Sequence, residues 1–274
     1  MKKILSFLMI AFIFVGCSLK QGPKTQAPFE ITEVSTQKKL TYTALIDRLK
    51  DYDVVILGEY HDNVDHHLMQ LAIVKDLSKF HNYALAFEML NTDLQGFIDE
   101  AKKNKQNVKK EELEKTIRWQ DDWYYDDYKD LIEYAFYEDN ALVAANFSVK
   151  EVQKIYDGEK LAPLKEGKST TNAVKSKIKE LVNSFHSMSD EASAVFVEVQ
   201  MRRDRSMAEV LASLNQPSIL ITGMFHASKD IGVPLHLKDL KPDKKVAVVA
   251  LDKDGMNDTS KEADFIFTFE YKEE

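Results

Sequence analysis

Short apolar runs alternate with longer amphipathic stretches along most of the chain. Val54-Val55-Ile56-Leu57 and Val246-Ala247-Val248-Val249-Ala250-Leu251 are continuous runs. A strand with one wet face alternates apolar and polar residues. Unbroken runs therefore predict strands buried on both faces, as in a parallel sheet. Strands are expected at 53–57, 83–87, 142–145, 218–222, 246–251 and 265–269. Between them, Leu68, Leu71, Val74 and Leu77 recur at three- and four-residue spacing and predict a helix over 64–80. Further helical patterns cover 94–102, 109–117, 124–137, 174–185 and 189–214, the last two expected to pack as a pair. The order strand, helix, strand predicts an α/β fold: a mostly parallel central sheet flanked by helices. Gly158, Pro163 and Gly167 break the pattern over 150–171. They lead into a helical subdomain or lid, so that 150–214 forms a helical elaboration.

The amino end follows different rules. Lys2 and Lys3 precede Ile4 to Val15, which is apolar except for Ser6. That core is too short to span a bilayer and has the length of a signal-peptide core. Phe14-Val15-Gly16-Cys17 resembles the bacterial lipoprotein signal, with Phe14 where Leu is usual. The resemblance implies cleavage before Cys17, acylation of its sulfur and, with Ser18 rather than Asp next, anchoring in the outer membrane. The expected division is signal peptide 1–16, lipidated terminus and polar tether 17–38, and one α/β domain over 39–274. Cys17 is the one cysteine of the 274 residues, so an internal disulfide and a multi-cysteine metal cluster are excluded. Net charge is −8, and −10 once Lys2 and Lys3 are removed. A duplex nucleic-acid partner, which needs a basic face, is disfavoured.

In open α/β sheets, ligands bind beyond the carboxyl ends of the strands. The expected strand ends deliver Glu59, Tyr60 and His61, then Glu88, Asn146 and His226. That convergence marks a candidate site. Each residue also has a plainer role. Glu59 suits a helix start, Asp62 or Asn63 suits the N-cap of the next helix, and Glu88 suits a partner that orients a histidine. His66 and His67 fall in the first turns of the 64–80 helix. Gln200, Arg203, Asp204 and Met207 share one helical face, either solvated or aimed at the crevice. Arg203 suits a carboxylate ligand because its fork binds two oxygens. Trp119, Trp123, Tyr124, Tyr125 and Tyr128 suit core packing or the wall of a flat apolar ligand.

Several motifs together resemble the ChaN-like haem-binding lipoprotein family. They are Gly58-Glu59-x-His61-Asp62-Asn63 with His66-His67, Glu88-Met89-Leu90, Trp119, Trp123 and Tyr128, and Ala144-Ala145-Asn146. Gln200-x-x-Arg203-Asp204-x-x-Met207-Ala208 and Gly223-x-x-His226-x-x-x-Asp230-x-Gly232-Val233-Pro234 follow. The likeness runs from about Tyr52 to Leu237, and Gly223-Met224-Phe225-His226 departs from the family's usual Gly-Asn-Gly-His. It implies haem as ligand, a part in iron acquisition, and delivery to an outer-membrane receptor. It also implies kinship with erythromycin-esterase-like and TIKI/TraB-like hydrolases.

Two functions follow as expectations. For haem binding, Tyr60 is the first choice of iron donor and His226 the alternative, because phenolate and imidazole both ligate haem iron. Tyr125 and Tyr128 back the site, and His61, Lys229 and Arg203 meet the propionates. A haem held on one face leaves the other exposed, so a homodimer is expected to cover it. For ester or amide hydrolysis, Glu59 or Glu88 acts as base, with His61 and His226 as proton carriers or metal ligands. Against it, no serine nucleophile elbow and no His-Glu-x-x-His is present.

Overall fold

The computed structural model describes residues 22–185, 188–253 and 262–271. Cys17 and the apolar segment before it lie outside the described residues. Among the described residues no helix is long and apolar enough to cross a membrane.

Among the described residues the first elements are a hairpin, β1 (Phe29–Glu33) and β2 (Lys38–Leu40), followed by α1 (Tyr42–Leu49). Then come β3 (Val54–Glu59), α2 (Val64–Leu77) and β4 (Ala84–Asn91). The helices α3 (Gln95–Lys103), α4 (Lys110–Thr116) and α5 (Tyr125–Tyr137) lead to β5 (Ala141–Asn146). After it come α6 (Val149–Tyr156), α7 (Asn172–Phe185), α8 (Asp190–Ser213) and β6 (Ser218–Gly223). The chain closes with α9 (Met224–Ala227), α10 (Val233–Leu240), β7 (Val246–Lys253) and β8 (Phe265–Phe269). The strands form one sheet in the order β2-β1-β8-β7-β3-β6-β4-β5. From β8 to β5 all neighbours are parallel, whereas β1 runs antiparallel to both β2 and β8. The α/β class expected from the unbroken apolar runs is the one observed.

Those runs are buried on both faces. Val55, Leu57, Leu85, Phe87, Ile219, Ile221 and Val249 point to the face covered by α1, α2 and α5. Their neighbours Val54, Ile56, Ala86, Leu220, Val248 and Ala250 meet Met207, Ala208 and Leu211 of α8, with Val233 and Leu237 of α10. The alternation is the two-residue period of a strand, read twice because each face has a helical cover. α7 and the first half of α8 pack as a pair around Ile178, Val182, Val197 and Met201. The helical elaboration is thus a second small core joined to the sheet through α8.

Two differences from the sequence expectation concern the sheet. The segment read as tether up to Lys38 enters the sheet at Phe29, because β1 pairs with β8 from Phe29↔Phe269 to Glu33↔Phe265. Glu88, expected just after its strand, lies inside β4. The register of β4 against β5 shifts between Phe87 and Asn91, and the strand continues past the irregularity.

The start of the domain is tied to the start of α2. Asp65 is fully buried and accepts backbone N–H bonds from Gln26 (2.6 Å) and Ala27 (3.0 Å). Asp65→Ala should cost about 1.5–3 kcal/mol, the range for hydrogen bonds to a charged group. Denaturant unfolding reads the cost, and hydrogen exchange should show the Gln26 and Ala27 amides deprotected.

Candidate functional site

β3 and β6 lie side by side, and their register ends on Glu59↔Gly223. From β3 the chain turns towards β4, and from β6 it crosses past β3 to β7, so the sheet changes direction there. Two buried carboxylates stand at this edge. Glu59 and Glu88 are each about 1% exposed.

Glu59 is surrounded by donors from three elements. Tyr128 of α5 donates its O–H to Oε1 at 2.6 Å, and His61 Nδ1 lies 3.1 Å from the same oxygen. His61 Nδ1 also lies 3.0 Å from the Tyr128 hydroxyl. His67 Nε2, from α2, is 3.2 Å from Oε2. Burial opposes ionisation of Glu59, but the hydrogen bonds and charges of His61 and His67 outweigh it and hold the carboxyl below its ordinary range. The His61 imidazole is pushed up in turn: burial opposes its charge, while the Glu59 bond and the field of Glu88 favour it. Its side chain is still 40% exposed. Its ring meets the edge of Trp123 at 4.7 Å between centroids.

Glu88 anchors a second group. Its Oε2 accepts from Thr222 Oγ1 (2.7 Å) and Gly223 N (2.8 Å). Its Oε1 lies 3.1 Å from His226 Nε2. His226 Nδ1 is 2.7 Å from Asp204 Oδ1, and Gln200 Nε2 is 2.9 Å from that nitrogen. Burial disfavours the imidazolium, but Glu88 and Asp204 overcome it and raise His226 to about 10. Glu88 is held well below its usual value despite burial, chiefly by His226. Asp204, whose Oδ2 has no partner, is lifted by burial to about 6.

Gly223 lets the two groups approach. A Cβ built there would fall 2.6 Å from His61 Nε2 and 2.9 Å from its Cε1. Gly223→Ala should therefore rotate His61 away from Glu59 at a cost of about 1–3 kcal/mol, as overpacking does. An NMR titration of the His61 ring would show its pKa falling toward the ordinary histidine value.

The remaining expected residues are distributed as follows. Tyr60 follows β3 and is partly exposed. Its backbone N–H donates to His66 Nδ1 at 3.0 Å. His66 is buried, and that burial holds its imidazole neutral, pushed down to about 4. Asn63 caps α2, with Oδ1 accepting from Asp65 N and His66 N. Asn146 ends β5 with its Oδ1 on the N–H of Phe147. Tyr125 packs one layer back, T-shaped to Trp119 at 5.3 Å, with its hydroxyl unbonded. On α8 the residues that reach His226 are Gln200 and Asp204. Arg203, one position round the helix, is partly exposed, and its Nε is buried without a partner. Lys229 is exposed and pairs with Asp264 at 2.6 Å. Thr222 and the His67–Glu59 approach were not singled out from the sequence. Thr222 reads as an ordinary strand residue, and nothing in the pattern of α2 marks His67 as the inward histidine.

Among the described residues no group of three His, Cys, Asp or Glu side chains is disposed to hold a metal ion. A groove of about 840 Å³ follows the outer edge of β5, lined in part by Gln95, Lys102, Leu142 and Leu214. None of the strand-end groups lines it. Gln95 itself pairs with that edge, donating to Leu142 O and accepting from Ala144 N.

Residues 45–237 match the family model described as "Haem-binding uptake, Tiki superfamily, ChaN". The chain belongs to the ChaN family. A solved structure described as cofacial haem binding to ChaN of Campylobacter jejuni is 35% identical, with a TM-score of 0.83. The alignment covers 89% of this chain and 97% of that ChaN. More distant structures include the type III effector HopBA1, at 14% identity and TM-score 0.45 over 93% of this chain and 98% of that one. An erythromycin esterase, EreC, in its open conformation, is 13% identical with TM-score 0.47 over 88% and 83%. No curated protein matches the chain. The ChaN match spans Glu59, His61, Glu88, Asp204 and His226, so both carboxylate–imidazole groups fall within the family's extent.

Proposed function

We propose that this ChaN-family protein binds haem over the carboxyl ends of β3 and β6, with Tyr60 donating to iron, as a step in iron acquisition at the cell envelope. The carrying observation is a partly exposed tyrosine at the end of β3, next in the chain to a histidine whose Nδ1 is engaged inward by buried Glu59 and Tyr128. That arrangement favours a charged His61 at the strand end that also carries the Tyr60 phenol. Haem requires those two things of a surface: an oxygen or nitrogen donor for iron and cations for its carboxylates. The residues fit the ligand in other respects. Trp123 and Tyr124 offer aromatic surface, and Tyr124 is 70% exposed. Arg203 has a buried donor without a partner and suits a propionate. Lys229 is held only by an exposed ion pair, which is worth about 0–1 kcal/mol and is readily exchanged for a propionate.

His226 is the poorer iron donor. Both of its nitrogens are occupied, by Glu88 and Asp204, so ligation would break a buried ion pair. The same occupancy disfavours His226 as a proton carrier in hydrolysis. Haem on an open strand-end surface keeps one face uncovered, so we infer a homodimer closed over the ligand, consistent with cofacial binding in the Campylobacter jejuni relative. Acylation of Cys17 would tether this assembly to the outer membrane, where a haem receptor could load it.

Hemin titrated into residues 18–274 tests this reading. A Soret shift saturating near one hemin per chain, with sedimentation moving from monomer to dimer, is the expected result. An unsaturable Soret change argues against it. In that case, model-ester cleavage abolished by Glu59→Gln and His61→Ala would move the assignment to hydrolysis.

A further inference from the structure

Tyr60 is tied to α2 through both of its backbone groups. Its carbonyl accepts the N–H of Asn63 at 3.1 Å, and its N–H donates to the imidazole of His66 at 3.0 Å. The rings of the same two residues lie 5.7 Å apart, tilted by 45°. His66 is in turn wedged by Phe269 of β8, at 5.1 Å between centroids. Because Nδ1 accepts, the imidazole proton sits on Nε2. That Nε2–H is buried without a hydrogen-bond partner. An apolar residue in this fully buried position would avoid burying that donor, so what the histidine gains here is the bond it accepts from the Tyr60 N–H.

We propose that His66 is a positioning residue for the iron donor: its Nδ1 and ring fix the backbone and phenol of Tyr60 at the end of β3. The inference rests on Tyr60 as the donor, and its own signature is visible without haem. Sidechain truncation elsewhere on α2 would leave this bond in place, whereas loss of the His66 acceptor removes it.

The test compares His66→Leu, which fills the space without an acceptor, with His66→Asn, whose Oδ1 can replace Nδ1. In the haem-free protein, the Tyr60 amide should exchange slowly in the wild type and His66→Asn and at least tenfold faster in His66→Leu. With hemin, His66→Leu should bind tenfold or more weakly and lose the tyrosinate-type absorption, while His66→Asn stays within about threefold of the wild type, a span under one tenfold step of about 1.4 kcal/mol. A Tyr60 amide that exchanges freely in the wild type overturns the inference even if His66→Leu fails to fold. So does a hemin spectrum in His66→Asn no closer to wild type than that of His66→Leu. If the amide is protected as expected but Tyr60→Phe leaves the hemin spectrum unchanged, the donor assignment is what falls, and the role of His66 at haem falls with it.

Discussion

Glu88→Ala should destabilise the fold by about 3–5 kcal/mol, the cost of removing one partner of a buried ion pair. The carboxylate receives Thr222 and the Gly223 amide and faces His226, so its loss strands a donor on each. The pH dependence separates this cause from simple loss of packing. His226, raised to about 10, contributes stability that is complete below its ordinary value of 6.5 and disappears as pH rises from there through about 10. Glu88 is depressed, so its contribution is complete above its ordinary 4.5 and disappears as pH falls through the lowered value. Asp204, raised to about 6, acts the other way and removes stability as pH climbs from 3.8 to about 6. Wild-type melting temperature should therefore decline from pH 6.5 to pH 10. Glu88→Ala should flatten that decline, because His226 loses the strongest influence that raises it. A parallel decline in the two proteins would show that Glu88 does not hold His226 charged.

Tyr60→Phe should abolish the tyrosinate character of the hemin complex and weaken binding tenfold or more, at least about 1.4 kcal/mol. The fold should be untouched, since phenylalanine keeps the ring that packs on His66 and both backbone bonds. Titration of hemin into both proteins, with circular dichroism as control, reads the effect. An unchanged Soret band and affinity would remove Tyr60 from the iron.

Much of this architecture was legible because burial leaves a simple trace. The runs at β3 and β7 are apolar without interruption because helices cover both faces, and that alone implied a parallel sheet. β1 escaped notice because Phe29-Glu30-Ile31-Thr32-Glu33 is a half-wet strand that joins the sheet through β8, far along the chain. α10 escaped because Gly232-Val233-Pro234 reads as a break, whereas proline in the first turn of a helix lacks only an N–H that would be unpaired there anyway.

At the site, the rule that chemistry gathers at strand ends found Glu59, His61, Glu88 and His226. It did not find their partners. Asp204 and Gln200 meet His226 only because α8 lies across the end of β6, and Arg203 differs from Asp204 by a single step of the helix. The sequence showed the polar stripe but not which member faced inward. His66 was visible as a histidine near a helix start. Its bond to Tyr60 depends on the turn between β3 and α2, which no periodicity records.

A crystal structure of the hemin-loaded protein tests the central claim most directly. The account predicts iron bonded to the Tyr60 phenol oxygen, with His61 at a propionate and the open haem face covered by a second copy of the chain. Iron on any other side chain, or haem seated in the groove along β5, would contradict it.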